Sequence, residues 1–163
     1  MKTKIFLLFI ISIVAFQISM ADNNVPGILN TNCEATCSWS SCCSADCAAP
    51  NSALCGCYFG IATCKCGTII TSCGLTKTPT QLGEVNNFKN NTLGSFNTTT
   101  ANAVKADLTT YNTNVSSRLF TDASLNTWMT TFKTHMNSLT NSEKTAVNNY
   151  AIAHGMSDRL ILS

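Results

Sequence analysis

Apolar residues along this chain follow three different rhythms. From Ile5 to Phe16 they are continuous, IFLLFIISIVAF, behind Lys2 and Lys4 and ahead of the small residues Ser19 and Ala21. A basic start, a short apolar run and small residues at that spacing are the design of a secretory signal, with cleavage expected after Ala21. The run is too short to cross about 30 Å of hydrocarbon at about 1.5 Å per residue. No later stretch repeats it, RLILS is too short for a lipid-anchor signal, and no retention tetrapeptide closes the chain. The expected product is exported and soluble, with no membrane insertion once the signal is removed.

The last rhythm is helical. Thr78-Pro79-Thr80-Gln81 has the form of a capping box with proline at the first helical position. Leu82, Val85, Phe88 and Leu93 follow it. Val104, Leu108, Tyr111, Val115 and Leu119 recur at spacings of four and three, which predicts a second helix. Asp122 is the expected cap of a third, bearing Leu125, Trp128, Met129, Phe132, Met136 and Leu139. Thr140-Asn141-Ser142-Glu143 opens a fourth through Val147, Tyr150, Ala151 and His154, and Gly155 stops it. Three or four amphipathic helices with short links predict an all-α bundle. Their polar faces are Asn and Thr rather than Lys and Glu, so intrinsic helicity is low and the bundle must rely on packing.

Between these stretches, cysteine takes over from the aliphatic residues. All ten cysteines fall at Cys33, Cys37, Cys42, Cys43, Cys47, Cys55, Cys57, Cys64, Cys66 and Cys73. The bulky apolar residues of the same span are Trp39, Leu54, Tyr58, Phe59, Ile61, Ile69 and Ile70. Their burial does not offset the cost of ordering the segment, and cross-links at about 2–4 kcal/mol each are the expected remedy. The change at Cys73 divides the chain into a signal over 1–21, a linker over 22–32, a disulfide-rich module over 33–73, a linker over 74–79, a helical bundle over 80–155 and a tail over 156–163.

Metal is the competing use for so many cysteines. Cys-x2-Cys, the knuckle of structural zinc sites, never occurs, and no histidine lies in the span. An even count in an exported chain favours disulfides, with no metal and no cofactor. Cys-x3-Cys at Cys33/Cys37 and Cys43/Cys47 puts two sulfurs on one face of a helix. Cys-x-Cys at Cys55/Cys57 and Cys64/Cys66 puts two on one face of a strand, here the arms of a hairpin turning near Gly60. The module is therefore expected to be a short helix plus a β-hairpin. Each helical pair would be clipped onto a strand pair, leaving Cys42 for Cys73. This spacing resembles the cysteine-stabilised helix-and-hairpin logic of defensins and scorpion toxins. That family has one such helical pair and a basic surface, whereas residues 33–73 carry one Lys, one Asp and one Glu; the resemblance implies architecture and not toxicity. The run CSWSSCCSADC also resembles hevein-type chitin-binding modules in its Cys-x4-Cys-Cys-Ser, without the aromatics those need after the serine.

Charge narrows the partners. The chain has ten Lys and Arg against eight Asp and Glu, and losing Lys2 and Lys4 with the signal leaves it neutral. That is no footprint for nucleic acid or an anionic membrane. Catalysis finds little footing either. His135 and His154 both fall on predicted helices without metal-ligand spacing, and Ala45 in CCSADC stands where a secreted phospholipase needs its histidine. Three sequons, at Asn90, Asn97 and Asn114, are candidate glycan acceptors. The first two fall in an expected interhelical link and the third inside a helix, beside its apolar stripe.

These features together predict a secreted cysteine-rich glycoprotein, not an enzyme, that binds an extracellular protein or cell-surface ligand. Trp39, Tyr58 and Phe59 are the candidate contacts, with a purely core role as the alternative for all three. One competing function is a precursor releasing its cysteine-rich part as a signal, pheromone or toxin-like peptide, with Lys77 the only basic residue near the boundary. Another is a secreted hydrolase.

Overall fold

The structure is a computed structural model describing residues 33–156 apart from 45, 46, 49 and 73, and of Cys43 and Ser44 the backbone alone. The expected signal, the linker over 22–32, the tail beyond Met156 and Cys73 lie outside the described residues.

The cysteine-rich part is built from two antiparallel sheets. Strands β1 (Cys33–Thr36) and β2 (Ser41–Ser44) form a hairpin in which Ala35 faces Cys42. Strands β3 (Ala53–Tyr58), β4 (Ile61–Cys66) and β5 (Ile69–Thr71) form a meander in the order β3-β4-β5. The hairpin expected near Gly60 is present. The helix expected from Cys33/Cys37 and Cys43/Cys47 is not: residues 33–36 and 41–44 are extended. Cys, Ser and Thr are weak helix formers. The three-residue spacing of Cys33 and Cys37 is instead met by leaving the strand, with the Cys37 N–H donating to the Ser40 carbonyl at 2.8 Å.

Four helices follow. Helix α1 (Pro79–Asn87) starts with the expected capping box of Thr78 and Gln81 and runs into a π-helical turn, Phe88–Thr92. Helix α2 spans Thr99–Ser116, α3 Asp122–Asn137 and α4 Asn141–Ala153. The predicted stripes are buried except at three positions: Leu82 is half-buried, His154 at the end of α4 is exposed, and Leu119 is 62% exposed. Helix α2 ends before it, because Arg118 adopts φ 53 and the Arg118 and Leu119 N–H groups turn back to the Val115 and Asn114 carbonyls. The cap of α3 also differs. Thr121 and Ser124 form the capping box, while Asp122 accepts from the Ser72 N–H and hydroxyl at 2.6 and 2.8 Å. At α4 the box of Thr140 and Glu143 and the stop at Gly155, φ 64, are as expected. Among the described residues no helix is long and apolar enough to cross a membrane.

Whether the two parts pack together was open from sequence, and they share one core. Trp39, Phe59 and Ile61 belong to the same buried cluster as Val85, Phe88, Leu108, Phe132 and Tyr150. The β3–β4 turn is the point of insertion. Phe59 (φ 44) and Gly60 (φ 76) form a two-residue turn with both φ positive, the twist that matches a right-handed hairpin. It buries Phe59 completely, with ring centroids 5.1 Å from Trp39 and 5.2 Å from Phe88. Further along, Asn126 of α3 pairs with Ile70 of β5 like an added strand. Its Oδ1 accepts from the Ile70 N–H at 3.2 Å and its Nδ2 donates to the Ile70 carbonyl at 2.7 Å. Edge groups that water would otherwise solvate are thereby paired.

Candidate functional site

Strand alternation places the cysteines. Cross-strand partners share a face, so Cys33, Ala35 and Cys42 share one face of the first hairpin. Cys55 and Cys64 stand opposite each other on β3 and β4. The two sulfur-bearing faces meet, β1 against β3 and β2 against β4. Four disulfides close them: Cys33–Cys55, Cys37–Cys57, Cys42–Cys64 and Cys47–Cys66, with Cα separations of 5.3–6.4 Å. Clipping onto the two Cys-x-Cys pairs is as expected for Cys33, Cys37 and Cys47. The expected Cys42–Cys73 bridge is overturned by Cys42–Cys64. As a strand residue, Cys42 is carried onto the Cys33 face and so meets Cys64. The sulfurs of Cys33, Cys55 and Cys64 lie within 4.8 Å of one another, as thiolates around a metal would, but each belongs to a disulfide. A disulfide sulfur is not a thiolate ligand.

The three candidate contact aromatics separate. Trp39 and Phe59 are both 0% exposed, which removes them from any partner's reach. The helices supply the cover that the module alone cannot. Tyr58 is half-buried, with its ring edge-on to Phe132 at 6.2 Å and the Lys133 ammonium 4.6 Å from its centroid.

Tyr58 belongs to a surface that sequence analysis did not assemble. Leu54, Gly56 and Tyr58 alternate on one face of β3, with Lys65 and Thr63 opposite Leu54 and Gly56 on β4. Leu54 is 58% exposed, whereas Ile61 and Ile70 on the same face are buried beneath the helices. A Cβ placed on Gly56 would touch nothing within 4 Å, so the strand is notched between Leu54 and Tyr58. Burial and the neighbouring charge of Lys65 hold the Lys133 ammonium below its ordinary value. The face therefore combines an aliphatic side chain, a phenol and two ammonium groups around a gap. Its β3 half was readable as period-two alternation; Lys133, from α3, was not.

Both histidines are held through Nδ1. His135 meets Asp107 Oδ2 at 2.6 Å. His154 meets Glu84 Oε2 at 2.9 Å and stacks on Tyr150 at 3.9 Å. Tyr150 also donates to Glu84 Oε2 at 2.9 Å, so the cluster ties α4 to α1.

Lys77, the one basic residue at the junction, is half-buried. Its ammonium lies 4.4 Å from the Tyr111 ring centroid and donates to Asn112 Oδ1, and burial pulls its pKa down to about 8. Among the asparagines of the three sequons, Asn90 and Asn97 are exposed and Asn114 is half-buried. Asn90 lies in the π-helical turn rather than in a link. Compared with protein-family models, curated proteins and solved structures, the chain matches none of them.

Proposed function

We propose that the protein is an exported glycoprotein that binds an extracellular protein or cell-surface ligand through the β3–β4 face around Tyr58. The observation that carries this reading is the placement of Leu54, Tyr58, Lys65 and Lys133 around the open position at Gly56. A tyrosine beside exposed apolar surface, with charge at the rim, is the make-up of an interface centre. Disulfides on the opposite face hold β3 and β4 rigid, so little conformational freedom is lost on binding. Four disulfides fit an oxidising compartment, and the basic-apolar-small pattern of residues 2–21 supplies the route to it.

Release of the cysteine-rich part is the weaker alternative, because Lys77 is engaged by Tyr111 and Asn112 and the cut would divide a shared core. The reading assigns binding and not hydrolysis, with His135 and His154 held as structural partners of Asp107 and Glu84. The test is binding of the labelled, secreted full-length protein to cells and extracellular matrix. Leu54→Asp and Tyr58→Ala should each lower binding at least tenfold, while Ile152→Asp, on the exposed side of α4, leaves it unchanged. Equal binding by all three overturns the site. A secreted peptide ending near Lys77 overturns the binding protein in favour of the precursor.

A further inference from the structure

Asn114 occupies an unusual place for a sequon. It lies in the last turn of α2, half-buried, in the sequence Asn114-Val115-Ser116. Two hollows meet at it. One is a cavity of about 220 Å³ towards Ser72, Leu75 and Arg118. The other is a shallow groove of about 500 Å³ between α2 and α3, lined by Thr110, Phe120, Thr121, Ser124, Thr127 and Trp128. Asn114 and Phe120 line both.

The groove has the chemistry of a sugar-binding surface. Phe120 is partly exposed and packs at 6.0 Å on Trp128, which stacks on Tyr111 at 4.9 Å. Thr110, Thr121, Ser124 and Thr127 line the groove beside these rings, the last three with hydroxyls already hydrogen-bonded within α3 and its cap and still able to accept. A pyranose offers the complement, an apolar C–H face and a rim of hydroxyls. So shallow a groove is a poor trap for a free ligand, which loses its translational and rotational freedom on binding. A covalently attached sugar has already lost most of that freedom, and tethering raises its effective concentration at the groove to about the millimolar range.

We propose that Asn114 carries an N-linked glycan whose first sugars lie in this groove against Phe120 and seal the α2–α3 junction. The inference rests on the proposed export through a glycosylating compartment. Attachment precedes closure of α2, while the segment is still extended. The Asn114 Nδ2 forms a bond to C1 of an oligosaccharide carried on a lipid pyrophosphate. The C1–O bond to that pyrophosphate breaks, the lipid pyrophosphate leaves, and Nδ2 gives up one proton. Folding of α2 then delivers the sugar to the groove, and a helical position is no obstacle.

The experiment is glycopeptide mass spectrometry of the full chain secreted from eukaryotic cells, followed by thermal unfolding before and after enzymatic removal of the sugars. Asn114 should be occupied. Full removal should lower the midpoint by about 2–4 °C, and trimming to a single sugar should preserve most of that difference. In Asn114→Gln the same treatments should change nothing, and in Phe120→Leu, which keeps the groove apolar, the effect should at least halve. If Phe120→Leu is not secreted, the comparison of single-sugar and sugar-free protein decides alone. Sugar at Asn90 or Asn97 with Asn114 bare overturns this inference and leaves the proposed function standing. An exported chain bare at all three overturns the glycoprotein reading as well. Occupied Asn114 with no effect of removal overturns the groove as its seat.

Discussion

The side-chain amide of Gln81 joins the two parts of the molecule, its Nε2 donating to the Cys37 carbonyl 44 residues away at 3.0 Å. The same side chain caps α1, with Oε1 accepting from the Thr78 N–H at 2.8 Å. Its Nε2 also donates to the Ser41 hydroxyl at 3.2 Å, so both ends of the loop between β1 and β2 hang on it. A single amide uses its acceptor for local structure and its donors for tertiary structure.

Gln81→Glu separates these roles. The carboxylate keeps the capping acceptor but turns an acceptor towards the Cys37 carbonyl, in a side chain only 8% exposed. The expected loss is about 1–3 kcal/mol, the cost of leaving a buried polar group unsatisfied. Urea unfolding measures it. A midpoint equal to that of the unmodified protein would mean the tether contributes nothing.

The β3–β4 turn makes a second prediction. A Cβ on Gly60 would lie 3.0 Å from Trp39 Cγ, at a φ of 76 that L-residues rarely adopt. Gly60→Ala therefore adds about 1–2 kcal/mol of backbone strain to displacement of the Trp39 ring. Because Trp39 packs on Phe88 and belongs to the shared core, the loss should reach the helices. Near-ultraviolet and far-ultraviolet dichroism should show one coincident transition, moved to lower temperature. A helical signal that keeps its midpoint while the tryptophan signal falls would refute coupling through this turn.

Acid should act on Glu143. This carboxylate is fully buried and accepts from the Thr140 N–H at 2.7 Å and hydroxyl at 2.9 Å, and from the Thr98 and Thr100 hydroxyls. Burial alone would raise its pKa, but the hydrogen bonds from Thr98 and Thr140 outweigh it and the net direction is down. A folded pKa below the unfolded one gives stability that is present above the unfolded value, about 4.3, and is lost as pH falls through the folded value. Denaturation midpoints followed from about pH 7 to about pH 2.5 should decline, and Glu143→Gln should flatten that decline. Parallel curves for the two proteins would contradict the assignment.

Helices were the most legible part of the fold, because period and caps agree within single segments. Thr78-Gln81, Thr140-Glu143 and Gly155 are local devices and function as local devices. The cysteine region was legible in its disulfides and its hairpin, but not in its first half. Cys-x3-Cys fits a helix turn and a strand-plus-loop equally well, and only the register of Ala35 against Cys42 decides between them. The candidate site was half legible for a related reason. Contact and core were open alternatives for Trp39, Tyr58 and Phe59; Trp39 and Phe59 are core because Phe88 and Tyr150, far along the chain, cover them, while Tyr58 stays half-buried. Pairings between distant segments, such as Lys133 with Tyr58 or Asn126 with Ile70, leave no local pattern to read.

Alkali should reveal Lys77. Burial lowers its pKa from 10.5 to about 8. Between those values the unfolded chain holds the proton that the folded chain has lost, so stability rises with pH across that window. Lys133 is lowered too, and acts in the same direction. The phenols of Tyr111 and Tyr150 oppose them. Burial raises both above the ordinary value of 10.0, so the unfolded chain ionises first and stability falls as pH climbs past 10.0. The urea midpoint should therefore climb from about pH 8 and turn over near pH 10, as the two effects cross. Lys77→Met keeps the aliphatic contact with Tyr111 and removes the titration. Most of the climb should vanish in this variant while the fall at higher pH remains. A climb of undiminished height in Lys77→Met would show that Lys77 is solvated in the folded protein, and the packing at the junction would then need revision.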